Sequence, residues 1–192
     1  MSEMKKLTTP FTREDLKDVK AGDIVLLNGY IYTGRDAAHK RLCELLEKGE
    51  KLPIDVKGAV MYYVGPSPAK PGEPIGSAGP TTSYRMDAYT PQLLDEGLMA
   101  MVGKGKRNDE VVAKIIEHGA CYFAAIGGAA ALIKSRIKSA EIICYEDLGA
   151  EAVRKLYVED FPVTCIIDSK GNNLYKLGRE EYLKSLNLRV DD

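Results

Sequence analysis

Residues 79–91, GPTTSYRMDAYTP, carry four Thr/Ser hydroxyls, two tyrosines, Arg85 and Asp87 within thirteen positions. If a helix starts after Gly79-Pro80, any of Thr81, Thr82 and Ser83 can cap it through a hydroxyl. Thr81 and Arg85, four apart, then share one face. A hydroxyl, unpaired backbone N–H groups and a guanidinium aimed into one volume suit a carboxylate or a phosphate. The alternative is a capped surface helix with Arg85 paired to Asp87 or Asp36. Two further turns hold cations. YTGRDAAHKR puts Arg35 between a strand and a helix, with Asp36 and His39 in the first turn, and MVGKGKR sets Lys104 between two glycines just past another strand. Strand ends are where α/β proteins place ligands, so Arg35, Arg85 and Lys104 together predict a site for a dianion.

The elements that must position these residues follow from periodicity. DIVLLNGYIYTG, residues 23–34, predicts two short strands joined by a hairpin turn at Asn28-Gly29. Arg35 to Glu50 has Ala38, Leu42, Leu45 and Leu46 at helical spacing, with Gly49 as a C-terminal stop. GAVMYYVGP is a strand. Ser67 to Pro80 holds four prolines and three glycines, too many for a helix or a central strand, and predicts a long ordered loop or lid. From Thr90, an expected N-cap with Pro91 at the first helical position, strand and helix alternate: LMAMVGKG, then KRNDEVVAKIIEHG closed by Gly119, CYFAAIGG, AAALIKSRIK, AEIICYEDLG, and AEAVRKLYVED as a helix. FPVTCIIDSKGNNLYKLG predicts a hairpin over Ser169–Asn173. The result is a single layered α/β domain over residues 1–192, with a mixed sheet, hairpins at both ends, and residues 1–20 as a charged N-terminal segment.

Composition narrows the function. The chain has 192 residues, 45% of them hydrophobic, enough for one sizeable core. Its 27 Lys+Arg against 28 Asp+Glu are dispersed, which argues against nucleic acid as a partner. The charged N-terminus is neither a secretory signal nor a membrane anchor, and the apolar run Ala120–Ile133, broken by Gly127-Gly128, is too short to span a bilayer. Cys43, Cys121, Cys144 and Cys165 lie far apart, as buried free thiols of a cytoplasmic protein do.

YTGRDAAHKR, GPTTSYRMDAYTP and VGKGKR, in this order, closely resemble the C-terminal region of class I fumarases, the iron–sulfur hydro-lyases, which in many prokaryotes is a separate β subunit. Tartrate dehydratase β subunits look similar. The resemblance covers nearly the whole chain, including YEDLGAEAVRKLYVEDFPVTCIIDSKGNNLY. It implies a swivelling β/β/α domain in which Arg35, Thr81, Arg85 and Lys104 face a C4 dicarboxylate, with Asp36, His39, Thr82 and Asp87 in support. In such enzymes one iron of a [4Fe–4S] cluster lacks a cysteine ligand and acts as a Lewis acid on the substrate hydroxyl, while a base removes a proton from the adjacent carbon. The resemblance places that cluster on a partner α subunit, makes Thr81 the candidate base or relay, and implies a homodimer or heterotetramer. The widely spaced cysteines agree, having no cluster-binding spacing. Two readings of other classes stand beside it: a phosphate-binding module built on the GKGKR and AAIGGAAA glycines, without a Walker pattern, and a noncatalytic assembly domain that only covers the partner's cluster.

Overall fold

The computed structural model describes residues 4–125 and 130–185. In chain order its elements are β1 (Met4–Thr8), α1 (Arg13–Leu16), β2 (Ile24–Thr33), α2 (Asp36–Glu47), β3 (Val60–Tyr62), α3 (Thr90–Asp95), β4 (Ala100–Gly103), α4 (Asp109–His118), β5 (Cys121–Ala125), α5 (Ala130–Arg136), β6 (Ile137–Cys144), β7 (Val153–Ile167) and α6 (Leu174–Ser185). Two 3₁₀ segments, Ser83–Met86 and Glu146–Glu151, complete them. The fold is α/β with one mixed sheet of seven strands in the order β1-β2-β3-β4-β5-β7-β6.

β2, β3, β4 and β5 pair in parallel, and β7 runs antiparallel to both β5 and β2. The pairing therefore returns to its start, and the sheet wraps around its own apolar contents. Val25, Leu27, Ile31, Val60, Val102, Phe123 and Val163 fill that interior. The opposite face, with Met61, Tyr63, Met101 and Tyr122, packs on Leu42 of α2, Leu93 of α3 and Val111 and Ile115 of α4. β3 and β4 are buried on both faces, which is why they read as unbroken apolar runs instead of alternating ones. Full burial of each large side chain in these layers stabilises by about 1.5–3 kcal/mol.

Several helix signals hold. α4 starts at Asn108, whose side chain accepts from Val111 N, and ends at Gly119 in the left-handed region, φ 66°. Gly49, φ 69°, follows α2. The charged N-terminal segment is not an appendage: residues 4–8 form β1 against β2, and Thr12 and Asp15 cap α1 reciprocally.

Four expectations are corrected. Asn28-Gly29 does not make a hairpin. β2 runs through it as one ten-residue strand with a bulge, because β7 offers a partner on both sides of the irregularity and Asn28 is tied to Asp160 through both its side-chain atoms. AEAVRKLYVED is not a helix but the start of the fifteen-residue β7, paired by β6 on one edge and β2 on the other. Its spacing of apolar residues fits a helix, and two flanking strands override it. The turn after Ile167 exists, with Gly171 N donating to Asp168 O, but the chain leaves it into α6, not into a returning strand. Tyr89, not Thr90, is the N-cap of α3; Thr90 lies inside and its hydroxyl donates back to Met86 O at 2.9 Å. The expected glycine pair Gly127-Gly128 lies outside the described residues.

The Pro/Gly-rich stretch has no regular structure yet is well anchored. Ser67 N donates to Ser77 O and Ser77 N to Ser67 Oγ, closing its neck. Ile75 and Ala78 are buried in the sheet interior, Tyr62 OH donates to Ala78 O, and Glu73 pairs with Lys134. It is an ordered loop rather than a free lid.

Candidate functional site

β2, β3 and β4 run parallel, so their C-terminal ends, Thr33, Tyr62 and Gly103, lie on one side of the sheet. Segment 81–83 is laid across two of those ends. Thr81 N donates to Tyr63 O at 2.7 Å. Thr82 forms an isolated parallel bridge with Lys104, where Ser83 N donates to Lys104 O at 2.8 Å and Lys104 N to Ser83 Oγ at 3.1 Å. Tyr122 OH stands 2.8 Å from both Ser83 Oγ and Gly105 O, tying the junction down from β5. Gly103 permits the approach: a Cβ there would meet Ser83 Oγ at 2.0 Å.

The segment beyond is a 3₁₀ turn of four residues, not an α-helix, and Thr82 precedes it without a side-chain capping bond. Thr81 and Arg85 therefore do not share a helical face. They meet the same rim by a tertiary route: Arg85 Nη2 donates to Asp36 Oδ2 at 2.5 Å, and Asp36 opens α2 next to Arg35. Arg35 is the N-cap of α2 with extended backbone, φ −118°, and its Nε lies 3.4 Å from Glu151 Oε1. These contacts gather Arg35, Thr81, Arg85 and Lys104 at three neighbouring strand ends. No described residue hydrogen-bonds the Thr81 hydroxyl.

Burial would raise the Asp36 carboxyl, but its own backbone N–H, then Arg85 and Arg35, hold it below the usual carboxylate range. His39 is fully buried, and burial pushes its imidazole down to about 4, with Arg107 adding to the effect while the Arg35 carbonyl and Asp36 oppose it. The neutral ring donates Nδ1–H to Arg35 O at 2.7 Å and stands edge-on to Tyr63. Because the unfolded imidazole titrates near 6.5, stability is full above that pH. It is expected to fall by about 1.4 kcal/mol per pH unit from this group as pH drops from 6.5 toward 4. Denaturant titrations of the parent and His39→Gln at pH 7 and pH 5 check this, the variant losing that slope.

Asp87 does not reach Arg85. It is buried, accepts from Arg107 Nε at 2.6 Å and from Asn108 N at 2.8 Å, and so joins the 3₁₀ turn to the start of α4. Arg107 has a fully buried side chain between the rings of Tyr63 and Tyr122, 5.3 and 4.9 Å from their centroids, and donates to Thr90 Oγ1 at 2.8 Å. Sequence reasoning missed this arginine. Its only signal was its place at the end of GKGKR, where a surface charge is the default.

Of the cysteines, Cys121 and Cys165 sit in the sheet interior, Cys43 donates to Tyr89 O behind α2, and Cys144 ends β6. The described residues hold one other group with metal-ligating atoms, Asp95, Glu117 and His118, on α3 and α4, where Lys114 Nζ already pairs with both carboxylates. No described helix is long and apolar enough to cross a membrane.

The chain is 45% identical over 152 residues, 78% of its length, to the aerobic class I fumarate hydratase of Escherichia coli (strain K12), of which it spans 28%. It is 39% identical over 165 residues, 85% of its length, to fumarate hydratase 2 of Leishmania major, spanning 29% of that protein. It is 38% identical over 182 residues to a Methanocaldococcus jannaschii protein provisionally named L(+)-tartrate dehydratase subunit beta, covering 92% of this chain and 93% of that one. Residues 2–178 match the family described as Fumarase C-terminus. With most of its length matched, the chain belongs to that family.

Proposed function

We propose that this chain is the β subunit of a hydro-lyase that interconverts fumarate and L-malate by reversible hydration, in the cytoplasm, with a partner α subunit that carries a [4Fe–4S] cluster. The observation that carries the reading is the convergence of three cations and one free hydroxyl, from Arg35, Arg85, Lys104 and Thr81, at the ends of parallel strands. Arg35, Arg85 and Lys104 offer N–H donors to both ends of a dicarboxylate, while Asp36 and Glu151 offset part of their charge. Asp36 occupies one Nη of Arg85 and leaves the rest of its fork for a carboxylate. Thr81 is a weak base at its ordinary acidity. Stabilising its alkoxide falls to the cations of the rim and to the partner subunit, and the hydroxyl either takes the proton or relays it to the partner. The match along the whole length of a protein named as a free-standing subunit supports the two-chain arrangement and keeps L-tartrate as the second substrate reading.

The chain purified alone is expected to be colourless and inactive, and anaerobic mixing with the cluster-bearing subunit to restore fumarate hydration. Assaying malate, fumarate and both tartrate enantiomers assigns the substrate. Stoichiometric iron and sulfide on the isolated chain would overturn the division of labour.

Arg85→Lys is expected to lower kcat/KM of the complex by about 10- to 150-fold, since an ammonium cannot reproduce a bidentate fork already shared with Asp36. Steady-state kinetics with malate check it.

A further inference from the structure

Arg35 lies in a slot. On one side is Gly65, where an added Cβ would stand 2.7 Å from Nη1 and 3.0 Å from Cδ of the arginine, so only a bare backbone lets the guanidinium lie there. The same position is 3.5 Å from Ala150 O, so residue 150 borders the slot as well. Next in the chain is Glu151, its Oε1 3.4 Å from Arg35 Nε; both atoms are buried and neither has a hydrogen bond to a described residue.

Glu151 is held firmly enough to direct a neighbour. Gly149, φ 60°, bends the chain just before it. The Arg154 guanidinium donates to the carbonyls of Gly149, Ala150 and Ala152, and Arg154 N donates to Thr33 Oγ1 at 3.0 Å. Thr33 ends β2, two residues before Arg35. The acid and the arginine it faces are thus fixed to the same strand end. A carboxylate on the Nε edge leaves the Nη edge for a ligand. Asp36 plays the matching part beside Arg85.

We propose that Glu151 is a positioning residue for substrate binding, its carboxylate setting the orientation of the Arg35 guanidinium so that the Nη edge meets a substrate carboxylate. The inference rests on the reading of Arg35 as a dicarboxylate-binding cation. It opposes simple electrostatics, because a carboxylate near a dianion repels it, and removing that charge alone would tighten binding.

A double-mutant cycle in the assembled, cluster-containing complex tests it, with Glu151→Gln, Arg35→Ala and the pair, using malate as the probe. Glu151→Gln is expected to raise KM about tenfold with kcat nearly unchanged, and to have almost no effect once Arg35 is alanine. Gly65→Ala, which invades the slot from the other side, should raise KM with the same dependence on Arg35, and serves if the Glu151 variant fails to assemble. An equal KM rise in both backgrounds, or a fall in KM, overturns the role of Glu151. An Arg35→Ala complex with parental KM overturns the dicarboxylate reading beneath it instead.

Discussion

Thr81→Ala is expected to lower kcat of the assembled complex by about 100- to 10,000-fold, the range for a positioned proton-transfer group, while KM stays near the parental value. The split follows from geometry. The Thr81 backbone is locked to β3 through its N–H on Tyr63 O, and Thr82 bridges Lys104, so truncating the side chain leaves the rim standing. What is lost is a hydroxyl that no described residue hydrogen-bonds, on the segment that bridges the end of β4. A group that acts only in the transition state changes kcat, whereas on the proposed reading the arginines also hold the ground state. Parental kcat and KM in Thr81→Ala would leave this chain a noncatalytic cover for its partner. A change confined to KM would make Thr81 a binding group only.

The second large effect is on stability. Arg107→Met is expected to destabilise the isolated chain by about 3–5 kcal/mol, because it leaves the Asp87 carboxylate buried against the start of α4 without its cation. In a domain of this size that lowers Tm by roughly 10 °C. Replacing both partners, Asp87→Leu with Arg107→Met, should recover part of the loss, since an apolar pair leaves no orphan charge. Thermal and denaturant unfolding of the single and double variants measure both. A single variant within about 1 kcal/mol of the parent would show that water reaches Asp87 and that the pair is not the anchor of the 3₁₀ turn.

α2 and α4 were legible with their stops at Gly49 and Gly119, because capping is local chemistry within one turn. The polar turns that carry Arg35, Thr81, Arg85 and Lys104 were legible too, because their composition has no use in a core, and these turns lie at or beside the C-terminal ends of β2, β3 and β4. The route by which Thr81 and Arg85 meet was not legible. A helical spacing of four stood in for what is a strand-end bridge plus an ion pair across 49 positions.

Sequence alone determined what is local: the residue types at the strand ends, the helix stops at Gly49 and Gly119, and the proline-rich loop. Tertiary structure decided the rest. Residues 153–167 became one long strand because β2, β5 and β6 all needed its edges. Asn28-Gly29 became a bulge because a partner ran past it. Arg107 and Glu151 became the neighbours of Asp87 and Arg35 across 20 and 116 positions. Hydrogen-bonding edges and buried charges are satisfied by whichever groups the closed sheet brings within reach, and a linear spacing carries no record of that reach.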